Sequence, residues 1–150
     1  MSNQLNKSTC DLVLAEFTKY DEIIIVSHEH PDADAHGSAL GLLHLLKELN
    51  IPKVVYANST GINKKFLALP GSNLITSDIP APDSANILLV FVDCAEKGRV
   101  GSSFVPNLDM FSSTINIDHH ISNTQFGTLN WVDAKASSTS EMIGKIALAA

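Results

Sequence analysis

The sequence holds only two cysteines, Cys10 and Cys94. Two thiols give neither a disulfide framework nor a zinc-ligand spacing, so a reducing, cytoplasmic setting is expected and the chemistry must rest on other side chains. Positive charge is also scarce. Lys and Arg total 10 against 16 Asp and Glu, a formal net charge of −6. That balance argues against a broad basic track for long nucleic acid. Short anionic ligands stay open, because a bound cation can reverse the local field. No apolar run approaches the roughly 20 residues of a membrane-spanning helix, so no membrane partner is expected. The opening MSNQLNKSTCD is polar and lacks the apolar stretch of a signal peptide. What is present is an ordinary globular composition, 45 % hydrophobic and 17 % charged, in 150 residues, enough for one domain with its own core.

Hydrophobic patterning predicts an α/β fold. A first helix is expected from Thr9 or Asp11, with Leu12, Val13 and Phe17 at helical spacing. Ile23 to Val26 is a β-branched run that reads as a strand buried on both faces. HEHPDADAHG reads as a loop, broken by Pro31, Gly37 and polar side chains. Ser38 to Leu49 is the clearest helix, stopped by Asn50, Ile51 and Pro52. Val54 to Ala57 follows as a strand. Strand, loop, helix, strand is a βαβ unit, which predicts a mostly parallel sheet flanked by helices. A short helix is expected over Ile62 to Leu69, strands at Ile87–Val92, Thr114–Ile117 and Leu129–Val132, and a last helix capped by Ser137 or Ser138.

Three of these strands end in the same kind of residue. The first runs into His28, Asp32 and Asp34, the third into Asp93, and the fourth into Asp118, His119 and His120. Ligands of an open parallel sheet bind outside the carboxyl ends of its strands, so adjacent strands would bring these groups together. Carboxylates that close cannot all stay ionised without a shared proton or a cation. Mixed Asp and His donors suit Mn²⁺, Fe²⁺, Co²⁺ or Zn²⁺, whereas carboxylate and water alone would favour Mg²⁺. The donors outnumber the needs of one ion. In a two-metal centre, Asp93 is the best bridging candidate, because it stands alone after the most hydrophobic strand.

Plainer readings stand beside these. Asp32 and Asp34 could form a solvated turn, His28 could be a satisfied loop histidine, and Asp93 could cap the next segment. His36 reads as a rim residue, His30 as pointing elsewhere and His44 as core. Asp133 could face the site or cap a loop. Ser137, Ser138 and Thr139 could bind phosphate at a helix N-terminus or merely cap it. Arg99, close behind Asp93, is the better candidate among the scattered cations for an anion contact.

INIDHH at Ile115 to His120 resembles the signature of the DHH phosphoesterase superfamily. HEHPDADAHGSALGL resembles its first motif and VDCAEKGRVG its second. NWVDAKASSTSEMI is similar to the region after the Asp-His-His motif in the oligoribonuclease and 3′-phosphoadenosine-5′-phosphate phosphatase branch. The resemblance implies one Mn²⁺ held by His28, Asp32 and Asp93 and a second by Asp34, Asp93 and His119, with Mg²⁺ or Co²⁺ as alternatives. It implies a metal-activated hydroxide attacking phosphorus, with Asp93 as the bridge and His120 on the substrate phosphate. Arg99 and Ser138 are further candidate substrate contacts, and Asp118 is expected to orient a histidine from behind the ligands.

Two departures accompany the resemblance. Family members usually supply a further metal-binding aspartate after the helix that here ends at Ala150, and a second, smaller substrate-binding domain. Residues 1–150 therefore read as an incomplete, C-terminally truncated catalytic domain, with weak or absent activity expected of the chain alone. The expected substrate is a short oligoribonucleotide or a phosphoadenosine nucleotide. A manganese-dependent inorganic pyrophosphatase, a single-strand exonuclease and a non-catalytic binding module remain alternatives, and a homodimer stays open.

Overall fold

The computed structural model describes residues 8–150, with elements in the order α1 (Thr9–Phe17), β1 (Glu22–Val26), α2 (Ala33–Glu48), β2 (Lys53–Ala57), β3 (Ile87–Val92), β4 (Thr114–Asp118), β5 (Leu129–Val132) and α3 (Thr139–Ala149). The strands form one sheet in the order β2-β1-β3-β4-β5, and every pairing is parallel. The β-branched and apolar runs of β1 and β3 are buried along their whole length, as strands covered on both faces must be.

Strand alternation sorts the core into two layers. Ile23, Ile25, Leu88, Val90, Ile115 and Ile117 face one way and pack with residues of all three helices, among them Phe17, Leu42, Leu46, Met142 and Ile146. Ile24, Val26, Leu89 and Phe91 face the other way. They are covered by Val100, Phe104, Leu108 and Phe111, from a segment that runs in 3₁₀ turns at Lys97–Val100 and Val105–Met110. Each such buried aliphatic side chain contributes about 1.5–3 kcal/mol.

Two sequence expectations need correcting. The segment HEHPDADAHG is not a loop throughout, because α2 starts at Ala33 rather than Ser38. Asp32 is its N-cap, with the carboxylate accepting a hydrogen bond from the Ala35 N–H at 2.9 Å, which pays for an early start in spite of Gly37. Asp34 and His36 are therefore helical. The helix expected over Ile62 to Leu69 contracts to one 3₁₀ turn, Lys64–Phe66, capped by Asn63. Too few apolar residues in that stretch find a core to pack against for a longer helix to persist.

Candidate metal centre

Sheet order decides the site. Strands β1, β3 and β4 are neighbours and parallel, so their carboxyl ends open at one edge. Asp93 follows β3 directly. It adopts φ of 55°, a left-handed conformation costly for a residue with a Cβ, and is 2 % exposed. One carboxylate oxygen, Oδ1, accepts a hydrogen bond from the Thr139 hydroxyl at 3.1 Å. The other, Oδ2, is buried with no hydrogen-bond partner among the described residues. Burial pushes the Asp93 carboxyl above its ordinary pKa. His28 opposes that shift, while Asp34 and Asp32 add to it.

His28 leaves β1 half-buried. Its Nδ1 donates to the Glu29 carbonyl at 2.8 Å, which turns Nε2 inward. Nε2 lies 3.4 Å from Asp93 Oδ2 and 3.7 Å from Asp32 Oδ1, spacings of ion pairs rather than formed hydrogen bonds. Asp93 is the main reason the imidazole pKa rises to about 8, against the opposing effect of burial. The Glu29 N–H donates to the Arg99 carbonyl at 2.7 Å, which ties this loop to the one after β3.

Asp34 is held by α3. The backbone N–H groups of Thr139 and Ser140 and the Ser140 hydroxyl all donate to its carboxylate, at 2.9, 2.9 and 2.7 Å. The anion at this helix N-terminus is thus an internal carboxylate. Burial pushes Asp34 up, but the Ser140 and Thr139 donors outweigh it and the carboxyl ends below its ordinary pKa. His119 Nε2 sits 3.4 Å from Asp34 Oδ2 and 3.6 Å from Asp93 Oδ1. His120 packs against His119 with ring centroids 4.5 Å apart and donates from Nδ1 to Asp118 Oδ1 at 2.7 Å. Asp118 is buried, and Asn123 donates to its second oxygen at 2.8 Å.

Two donor sets result, His28–Asp32–Asp93 and Asp93–His119–His120, each with ligand atoms within 4.8 Å of one another. Asp93 belongs to both. An orphaned buried carboxylate oxygen beside imidazoles and other carboxylates is an arrangement that a divalent cation satisfies and that bare burial penalises. The donor set therefore fits a divalent metal. The accompanying cavity, about 230 Å³, is lined by His28, Asp32, Asp93, Arg99, His120 and Ser122.

Not every residue singled out in the sequence lies here. Ser138 is the N-cap of α3, its hydroxyl accepting from the Glu141 N–H at 3.0 Å. Asp133 caps a turn by accepting from the Lys135 N–H. His36 does not rim the site. It is fully buried behind it, bonded through Nδ1 to the Tyr56 hydroxyl at 2.9 Å, because the helix starts early enough to turn it inward. His44 is not core but exposed, donating to the Pro70 carbonyl. Sequence reasoning missed Ser140, Asn123 and Ser122, and offered Thr139 as a phosphate contact or helix cap rather than as a donor to Asp93. The polar cluster SSTS before an apolar helix was the signal for Thr139 and Ser140, yet nothing local shows that it faces Asp34 and Asp93.

The comparisons agree with this geometry. The chain is 35 % identical over 136 residues to a probable bifunctional oligoribonuclease and PAP phosphatase NrnA of Streptococcus mutans, covering 91 % of this chain and 41 % of that protein. It is 32 % identical to the bifunctional oligoribonuclease and PAP phosphatase NrnA of Bacillus subtilis, covering 86 % of this chain and 39 % of that one. The chain thus spans about two fifths of the length of these curated relatives. A crystal structure of an exopolyphosphatase-related protein from Bacteroides fragilis shares the fold at a TM-score of 0.80 and 24 % identity, over 99 % of this chain and 45 % of that one. The family description "DHH family, N-terminal domain" matches residues 22–150, and with its three strand-end motifs gathered at one edge of the sheet the chain belongs to the DHH family.

Proposed function

We propose that this chain carries the metal centre of a phosphoester hydrolase acting on short oligoribonucleotides or phosphorylated adenosine nucleotides in the cytoplasm. The observation that carries the reading is Asp93, a buried carboxylate with one oxygen lacking a hydrogen-bond partner among the described residues, shared by two donor sets. His28, Asp32 and Asp93 would hold one ion. Asp34, Asp93 and His119 would hold the second. Asp34 takes the place of His120 in that set because Asp34 Oδ2 lies 3.4 Å from His119 Nε2, and His120 is assigned to the substrate phosphate. Mn²⁺ suits the mixed carboxylate and imidazole donors, with Mg²⁺ or Co²⁺ as substitutes. When bound, the metal pair supplies Lewis-acid polarisation of a phosphoryl oxygen and a lowered pKa for water.

The chain's own groups do the rest. Asp118 accepts from His120 Nδ1 at the cavity wall, and with a proton on Nε2 as well the imidazolium can donate to a phosphoryl oxygen. Arg99 places a permanent positive charge on the same wall. The names of the two NrnA relatives support the substrate class. The chain spans 41 % and 39 % of them, and within such an enzyme it is the metal-binding part.

The test is hydrolysis of a 5′-phosphorylated diribonucleotide, 3′-phosphoadenosine-5′-phosphate and pyrophosphate, with metal-binding calorimetry on the same protein. Chelation should abolish nucleotide turnover, and Mn²⁺, or Mg²⁺ or Co²⁺ in its place, should restore it. Turnover that survives rigorous chelation would sink the mechanism, and turnover of pyrophosphate alone would sink the substrate class.

A further inference from the structure

The metal cavity is small. Its volume of about 230 Å³ falls below the ~300–1,000 Å³ usual for small-molecule pockets. A larger cavity, about 390 Å³, lies on the other side of the turn that follows β1. Its walls include His30, Pro31, Thr60, Ile62, Asn63 and Lys65. His28 and Asp32 of the same turn line the metal cavity, so one short segment divides the two.

That partition is firmly built. The His30 N–H donates to the Thr60 hydroxyl at 2.8 Å, and the Thr60 N–H donates to Asn58 Oδ1 at 2.9 Å. Asn58 is buried and donates from Nδ2 to the His28 carbonyl at 3.0 Å. His30 itself is held at φ of 51°, a strained conformation for a non-glycine residue. The lining mixes an imidazole, a proline ring, an aliphatic side chain, an amide and a cation. Lys64 and Lys65 are the only adjacent basic pair in a chain of net charge −6. A flat apolar group with hydrogen-bonding edges and an attached anion matches this lining.

We propose that this cavity is a second subsite, which receives the nucleoside adjoining the reacting phosphate while Lys65 contacts that nucleoside's own phosphate. The inference rests on the nucleotide reading above and adds where the substrate's remaining part is held. The Lys65 ammonium lies over the Phe66 ring, 5.1 Å from its centroid, and the residue is exposed, so the cation is available to an anion at the cavity mouth.

The experiment is an NMR titration of the isotope-labelled full chain in Mg²⁺, with the dinucleotide pApA and separately with inorganic phosphate. The expected result is that pApA shifts the amides of Thr60, Ile62 and Lys65 together with those around Asp93, while phosphate shifts only the latter. Lys65→Ala, an exposed change, and Ile62→Asp should each weaken pApA binding about tenfold and leave phosphate binding within about twofold. If pApA shifts only residues around Asp93 and both variants bind it normally, the subsite is wrong and the proposed function stands. If neither probe shifts residues around Asp93, both readings fall. Variants that weaken phosphate as much as pApA would also overturn the subsite.

Discussion

Asp118 and His120 form a buried-to-exposed dyad, with Asp118 Oδ1 2.7 Å from His120 Nδ1 and the other Asp118 oxygen held by Asn123. The carboxylate keeps the proton on Nδ1 and leaves Nε2 for the cavity. Asp118→Asn keeps the volume but lets the imidazole turn or change tautomer. We expect Mn²⁺ affinity to hold while nucleotide turnover falls about 10–100-fold. Equal losses in both would show that Asp118 serves the metal and not His120.

Asp93→Asn should separate stability from metal binding. Burial disfavours the charged form of this carboxylate, and Asn keeps the shape while removing the charge. The metal-free variant is expected to melt higher than the parent. The stabilisation that Mn²⁺ confers on the parent, about 2.7 kcal/mol at 100 times Kd and read as a rise in melting temperature, should vanish. A variant that still gains the full increment would remove Asp93 from the metal centre.

Asp34→Ala should loosen α3 even without metal. Three donors lose their acceptor, two of them backbone N–H groups at the start of the helix. A loss of about 2 kcal/mol is expected, read by urea denaturation. Hydrogen exchange at the Thr139 and Ser140 amides should quicken in the same variant. Unchanged exchange there would mean that solvent replaces Asp34 freely.

Metal-free stability should fall on the alkaline side of neutrality. The folded His28 pKa of about 8 lies above its ordinary value of 6.5, so the protonated imidazole stabilises the fold. That contribution, about 2 kcal/mol at most, is fully present below pH 6.5 and is lost as pH rises through about 8. The melting temperature of chelated protein from pH 6 to 9 checks it. His28→Gln should flatten the profile, and a parent profile already flat would refute the coupling to Asp93.

Much of the fold was legible because burial writes itself into local pattern. The β-branched and apolar runs EIIIV and ILLVFV read as strands covered on both faces, and the alternation of sheet and helix implies parallel pairing, as observed. The early start of α2 was not legible, since it depends on one side-chain cap at Asp32 that competes with Pro31 and Gly37 nearby. His36 and His44 were misplaced for the same reason. Shifting where a helix begins, and what packs beside it, changes which faces its residues present.

The sequence by itself determined the chemistry available: which carboxylates and imidazoles stand at strand ends, and that no thiolate set competes with them. Only the tertiary structure decided which of them meet. Thr139 and Ser140 reach Asp93 and Asp34 across 46 and 106 residues of chain, and Asn123 settles the pose of Asp118. Such contacts arise from sheet order and from the docking of α3, which local propensity does not encode. Short-range pattern specifies elements; the partner of a buried polar atom is set by the packing of elements distant in sequence.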